Sequence, residues 1–365
     1  MSPRDELAAH AHETANETAN KNANAAVIET TNESEPLVCV VIPTYRRPEL
    51  LIRCLLGLAE QTVGAASVEI IVVDDGPCAR TQALVNVLSS REVGLPAPAP
   101  ALRYLRPEVG HGPATARNAG WRAARAPVVA FTDDDTIPLA TWLAGGLAAL
   151  AARPELPAVA GRVVVPIPEG VSPTDHMVVT RGLEQAEFVT ANAFVRKSAL
   201  EAVGGFDERF TRAWREDSDL QYRLEDQFGP LGRADDAVVL HPVREEPWGV
   251  SLRQQRHAFF EALLFSKHPR HYLARADTVP PWHYYAIVAL ALATLVLWLA
   301  DIPGSAVVSG VIAFALIVRL ALRRLRGTSH RLEHVLEMLV TSAAIPFLSI
   351  YWRLRGALHF RVWFL

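Results

Sequence analysis

Between Tyr284 and Ala300, and again between Ser305 and Val318, the chain carries no charged side chain. A helix in a soluble core rarely stays apolar on all faces. At 1.5 Å rise per residue, spans of ~17–20 residues just cross the ~30 Å hydrocarbon core of a bilayer. The turn Asp301-Ile302-Pro303-Gly304 between the two stretches therefore predicts a transmembrane helical hairpin. Basic residues flank both outer ends: Lys267, Arg270 and Arg275 before, Arg319, Arg323, Arg324 and Arg326 after. That bias places the flanks on the cytoplasmic side and the Asp301 turn outside. A third apolar stretch, Val335 to Trp352, contains Glu337 and Pro346 and is followed by Arg353, Arg355 and Arg361. A third crossing would carry that basic tail outside. An amphipathic interfacial or re-entrant helix is expected instead, with Trp352 and Trp363 at headgroup level. The expected location is a cell inner membrane or plasma membrane, multi-pass, with the chain before the hairpin cytoplasmic.

The rest of the chain reads differently. Half of all residues are hydrophobic, 21% are charged, and the formal charge is -3. Disorder needs low hydrophobicity and high net charge, and nucleic-acid binding usually shows a basic excess. Both are excluded for the chain as a whole. The first 36 residues are the exception, an Ala/Asn/Glu/Thr-rich stretch ending at Pro36 that reads as a disordered tail. Cys39, Cys54 and Cys78 have no metal-ligand spacing and read as core thiols.

From Leu37 apolar runs and helical faces alternate. Leu37 to Ile42, Ile70 to Val73, Leu102 to Leu105 and Val128 to Phe131 read as buried strands. Helical faces at Leu51, Leu55 and Leu58, at Thr81 to Leu88 and at Thr115 to Ala124 separate them, and Leu95 to Pro100 is a connection. This alternation predicts an α/β domain, a mostly parallel Rossmann-like sheet with helices on both faces. Beyond Pro154 the pattern loosens. Strands are expected at Val159 to Val165, Phe188 to Val195 and Val238 to His241, and a helix from about Glu216.

Three acidic clusters mark the ends of these elements. Asp74-Asp75 follows the second strand, Asp133-Asp134-Asp135 follows the strand at Val128, and Glu216-Asp217 opens a helix. Ligands of open α/β sheets bind outside the carboxyl ends of the strands, so these acids are candidate site residues. Arg117 and Asn118 follow the small-residue loop Gly110-His111-Gly112-Pro113, where a helix N-terminus suits a phosphate or sugar hydroxyl.

Val41-Ile42-Pro43-Thr44-Tyr45-Arg46-Arg47, Val72-Val73-Asp74-Asp75-Gly76 and Asp133-Asp134-Asp135 together resemble glycosyltransferase family 2, with its GT-A fold. Thr190-Ala191-Asn192-Ala193-Phe194, Gly204-Gly205-Phe206-Asp207 and Arg215-Glu216-Asp217-Ser218-Asp219-Leu220 continue the likeness in the same order, over about Val38 to His241. The resemblance implies roles residue by residue. Pro43, Thr44, Tyr45 and Arg47 would close over the nucleotide, and Asp75 would bond the base. Arg117, Asn118, Asp133 and Asp134 would complete the nucleotide-sugar site. Asp133 and Asp135, with His241 as a further ligand, would hold a divalent cation, Mg²⁺ or Mn²⁺. Asp217 would be the catalytic base with Glu216 orienting it, its pKa lowered by the helix start. Ala191, Asn192 and Trp214 would meet the acceptor. Asp219 reads as a salt-bridge partner of Arg223.

The chain would then divide into a tail at 1–36, a GT-A catalytic domain at 37–275, the hairpin at 276–326 and the membrane-associated segment at 327–365. The implied activity is inverting transfer of a single sugar (a hexosyltransferase type) from a nucleotide-diphosphate-sugar to an acceptor hydroxyl, in cell-envelope or lipid-linked glycan synthesis. The implied partners are that donor, a lipid-linked or glycan acceptor and the membrane, with no nucleic acid. Arg253-Gln254-Gln255-Arg256-His257 departs from the Gln-x-x-Arg-Trp motif of processive synthases, which favours single-sugar transfer. Two alternatives stand beside it. A nucleotidyltransferase shares the sheet but usually carries a Gly-rich basic loop where Pro43-Thr44-Tyr45 stands, and a catalytically silent nucleotide-sugar-binding scaffold would not need the full set of acids.

Overall fold

The computed structural model describes residues 35–90, 95, 100–274 and 281–364. Nearly all of the expected tail, Arg275 and most of the Leu95 to Pro100 connection lie outside the described residues. Two units are distinguished, one built of residues up to 168 and 181–243, the other of 169–180 and 244–365.

In chain order the first unit contains β1 (Val38–Thr44), α1 (Pro48–Ala59), β2 (Val68–Asp74), α2 (Ala79–Leu88), β3 (Ala101–Leu105), α3 (Pro113–Ala123), β4 (Val128–Thr132), β5 (Ile137–Pro138), α4 (Trp142–Ala152) and β6 (Ala158–Val164). After α5 (Asp175–Arg181), nearly all of which clusters with the second unit, it continues with β7 (Asn192–Arg196), α6 (Lys197–Val203), α7 (Glu216–Phe228) and β8 (Gly232–Leu240). One eight-stranded sheet results, in the order β3-β2-β1-β4-β7-β6-β8-β5.

The apolar runs explain the layers. Every residue from Val38 to Ile42 is fully buried, because β1 is covered on both faces. Its side chains alternate. Val38, Val40 and Ile42 join Leu51, Cys54 and Leu55 of α1 and Trp142 of α4, while Cys39 and Val41 join Ala116 and Trp121 of α3 and Leu220 of α7. Strands β3, β2, β1 and β4 are parallel, as expected, but β7 runs antiparallel to both β4 and β6, so the sheet is mixed.

Register sets up the site. Thr44 lies opposite Asp74, Val41 opposite Phe131, and Thr132 opposite Asn192. The carboxyl ends of β1, β2 and β4 therefore open on the same edge. The two-residue strand β5 adds one more constraint: Ile137 pairs with Leu240, which carries His241 back to the end of β4.

The second unit contains α8 (Val250–Gln254), α9 (Ala258–Lys267), α10 (Pro269–Ala274), α11 (Trp282–Leu299), α12 (Pro303–Leu325) and α13 (Leu332–His359). The last three are long and apolar enough to cross a membrane. The α11–α12 hairpin matches the expected one, and Thr294 and Ser309 share a 2.9 Å hydroxyl contact between its arms. The third apolar stretch, expected to be an interfacial or re-entrant helix, is well formed. It is a continuous 28-residue helix running through Pro346. A proline removes one N–H from the ladder, and in an otherwise apolar helix that loss is local. The segment 169–180 docks on this unit through Asp175, whose carboxylate takes Nη2 of Arg324 at 2.7 Å, while Nη1 of Arg324 donates to Thr341 at 2.7 Å and Ser342 at 3.1 Å.

Candidate active site

Asp74 and Asp75 part company at the end of β2. Asp74 points inward and is buried, accepting the N–H of Gly76 at 3.2 Å, the N–H of Cys78 at 3.1 Å and the Tyr104 hydroxyl at 2.8 Å. Asp75 points outward and accepts the N–H of Gly112 at 2.8 Å. That contact draws the small-residue loop to the sheet edge. Gly112 has φ 106°, and a Cβ there would strike the Thr211 backbone, so only glycine fits. Tyr45 is 48% exposed and its ring lies flush against Gly76, leaving a wall and a floor beside Asp75.

At the end of β4 the three acids face three ways. Asp134 turns inward, where it accepts Thr44 Oγ1 at 2.7 Å and Nη1 of Arg47 at 3.2 Å. Burial pushes its carboxyl up to about 6, against Arg47. Thr44 and Asp134, both expected at the nucleotide, have buried side chains bonded to each other. Asp133, Asp135 and His241 come together, each offering a ligand atom within 4.8 Å of the others. His241 Nε2 stands 3.7 Å from Asp135 Oδ1. Its Nδ1 is buried without a hydrogen-bond partner among the described residues. Two carboxylates and an imidazole suit a hard or borderline divalent ion, so the residues present fit the expected cation.

Arg117 joins two of the acidic clusters. It is buried, and its guanidinium reaches carboxylates rather than solvent: Nη2 donates to Asp133 at 2.7 Å and Nη1 to Glu216 at 3.0 Å. Asn118 is likewise internal. Its amide donates to the Phe206 carbonyl and to Glu208 and accepts from Trp121 and the Phe206 N–H. Arg117 links the cation group to the mouth of α7, and Asn118 clamps the Gly204–Phe206 turn.

Asp217 and Glu216 open α7 behind Arg215, whose φ of 73° is left-handed. A non-glycine residue there costs about 1–3 kcal/mol and such residues cluster at functional sites. Glu216 is buried, half-buried Asp217 accepts the Ser218 N–H at 2.7 Å, and Arg223 closes on Asp219 at 2.7 Å as expected. The expected depression of the Asp217 pKa is reversed. Desolvation raises it, with the Ser218 N–H, Arg117 and Arg215 opposing. Burial likewise raises Glu216, helped by Asp217 and opposed by Arg117. Desolvation outweighs the dipole because the charge sits against protein on most sides.

Asn192 and Ala191, expected at the acceptor, are both buried. Asn192 is 0% exposed; it accepts Trp142 Nε1 at 2.8 Å and donates to the carbonyls of Arg162 at 2.9 Å and Ala237 at 2.8 Å. Ala191 is buried and gives its carbonyl to Thr132. Trp214 is exposed, with the Arg215 guanidinium over its ring at 5.2 Å. Asn192→Leu is expected to cost about 3 kcal/mol in urea unfolding, since each buried group left unmet costs roughly 1–3 kcal/mol, while leaving ligand binding at the sheet edge unchanged.

Glu208 is a contributor that no motif signalled. It accepts from Thr115 and Asn118, holding α3 to the turn before α7. It sits in no strand-end cluster, and only the turn after Gly205 brings it there.

An α/β sheet with a carboxylate and imidazole group at its carboxyl edge is the GT-A arrangement. The glycosyl transferase family 2 model matches residues 39–204, and the glycosyl transferase family group 2 model matches 128–323, more than half of the 365 residues. The chain belongs to glycosyltransferase family 2. It is 28% identical over 269 residues to a validoxylamine A glucosyltransferase of Streptomyces hygroscopicus subsp. limoneus, covering 64% of this chain and 55% of that relative. The chain thus spans about half the length of that relative. It is 27% identical over 227 residues to glycosyltransferase AglE of Haloferax volcanii, covering 60% of this chain and 71% of the relative. The fold is shared with a mannosyltransferase from Pyrobaculum calidifontis solved in complex with GDP-Man and Mn²⁺, with TM-score 0.56, 20% identity and coverage of 94% and 96% of the two chains.

Proposed function

We propose that the chain transfers a single sugar from a nucleotide-diphosphate-sugar to an acceptor hydroxyl with inversion, at a membrane. The observation that carries this reading is the bridge of Arg117 between Asp133 and Glu216, which ties a cation-binding group to the helix start that carries the candidate base Asp217. The nucleotide would lie between Tyr45 and Asp75. Asp133, Asp135 and His241 would hold Mg²⁺ or Mn²⁺, and a bound divalent ion supplies charge neutralisation of the departing diphosphate. Asp217 takes the proton of the acceptor hydroxyl as its oxygen bonds to the anomeric carbon. The bond from that carbon to the phosphate oxygen breaks from the opposite face, and its electron pair leaves with the nucleoside diphosphate. Glu216, held by Arg117, fixes the start of α7 and hence the position of Asp217.

A lipid-linked or glycan acceptor fits a chain with three helices long and apolar enough to cross a membrane. The cytoplasmic placement of the first unit in a plasma or inner membrane rests on Arg319, Arg323, Arg324 and Arg326 at the end of α12. Incubating the purified chain with Mn²⁺ and a panel of nucleotide-sugars, with lipid-linked and soluble acceptors in parallel, tests the reading. A product of inverted anomeric configuration is expected by NMR; retention of configuration or the absence of transfer with every donor would sink it.

Chelation should abolish donor binding, and Asp135→Asn should reproduce that loss in the presence of excess metal, as read by calorimetric titration. The pH profile follows from the raised Asp217 carboxyl. The base must be ionised to accept a proton, so activity is full above the shifted pKa and lost as pH falls through it. The acid limb of kcat/KM should therefore lie above the ~3.9 ordinary for Asp.

A further inference from the structure

Arg353 lies near the end of α13 and is only 7% exposed. Its guanidinium carbon stands 4.4 Å from the centroid of the Phe364 ring. Nε and Nη2 are both buried, and neither meets a hydrogen-bond acceptor among the described residues. Arg324, in the same unit, shows the contrast, with a carboxylate on one edge and two hydroxyls on the other. A charge taken out of water without a counter-charge is strongly unfavourable, and attraction to one ring face is the smaller effect.

The two orphaned atoms share one edge of the guanidinium. That edge presents parallel N–H groups and takes two oxygens of a planar or tetrahedral oxyanion side by side. The same helix end is rich in positive charge. Trp352, the preceding residue, lies beneath two further guanidiniums, Arg355 at 4.9 Å and Arg256 at 5.9 Å. Surplus positive charge of this kind suits a doubly charged phosphate better than a carboxylate. Leu358 and Trp363 are exposed at 81% and 86%, at the end of a helix long enough to cross a bilayer. An aromatic and basic helix end of this composition belongs at headgroup depth.

We propose that the Nε–Nη2 edge of Arg353 binds the phosphate of a lipid head group, with Phe364 holding the guanidinium plane and Arg355 and Arg256, over the neighbouring Trp352, adding positive charge at the same helix end. The site lies wholly in the helical unit and stands whether or not the chain transfers sugars.

Titrating the purified full chain in neutral detergent micelles with dioctanoyl phosphatidic acid tests this, with dioctanoyl glycerol and inorganic phosphate as parallel probes. Saturable binding of the phosphatidic acid is expected, with no response to the glycerol. Arg353→Gln should weaken it roughly tenfold to a hundredfold, the range for hydrogen bonds to charged groups. Unchanged affinity in that variant would overturn the site. Inorganic phosphate binding as tightly as the lipid would overturn the lipid assignment. Should Arg353→Gln fail to fold, Arg353→Lys keeps the charge and loses the two-pronged edge. Weaker binding is expected there too, and equal affinity would overturn the proposal.

Discussion

Asp217→Asn is expected to lower kcat by about 10²–10⁴-fold, the contribution of a positioned general base, while the melting temperature holds or rises. Both halves of that outcome come from the same environment. Desolvation disfavours the ionised carboxylate of Asp217 in the fold, so a neutral amide of the same shape removes an unfavourable charge. The Ser218 N–H, which Asp217 accepts at 2.7 Å, still finds the amide oxygen. Loss of rate without loss of stability would separate a chemical role from a structural one. A large drop in melting temperature, or a kcat within threefold of the parent, would argue that Asp217 merely starts the helix.

The second large effect concerns Arg117. Arg117→Met is expected to destabilise the first unit by about 3–5 kcal/mol, the cost of leaving a buried ion pair without one partner. Here Glu216, buried beneath the site, and Asp133 at its edge lose the same cation. Arg117→Lys should restore little, because an ammonium is a point charge and cannot hold two carboxylates in fixed directions. Adding Glu216→Gln to Arg117→Met should recover part of the stability by removing the uncompensated charge. Urea unfolding of the parent, Arg117→Met, Glu216→Gln and the double variant measures the coupling, and additive effects would contradict a direct interaction.

Much of this site could be read from residues in line. Parallel strands buried on both faces must be continuous apolar runs, so Val38 to Ile42, Ile70 to Val73 and Val128 to Phe131 announced the sheet and where its carboxyl ends fall. The acids at those ends followed. Their division of labour did not. Asp74 and Asp134 point inward while Asp75 and Asp133 point outward, and the difference depends on partners far along the chain. Thr44 meets Asp134 across 90 positions and Arg117 meets Glu216 across 99. His241 reaches Asp135 only because a two-residue strand, too short to show any period, pairs Ile137 with Leu240. Asn192, polar and beside a family motif, looked like a ligand contact, yet it satisfies Trp142 and two carbonyls in the core.

Local sequence thus determined the elements, the apolar helices and the edge at which the acids gather, because hydrophobic period and turn chemistry act over a few residues. Tertiary structure alone decided which carboxylates face outward at the sheet edge, which lock the loops, and that burial raises the Asp217 pKa where the helix start would lower it. Solvent exclusion is set by everything packed around a group, and no stretch of neighbouring residues contains that information.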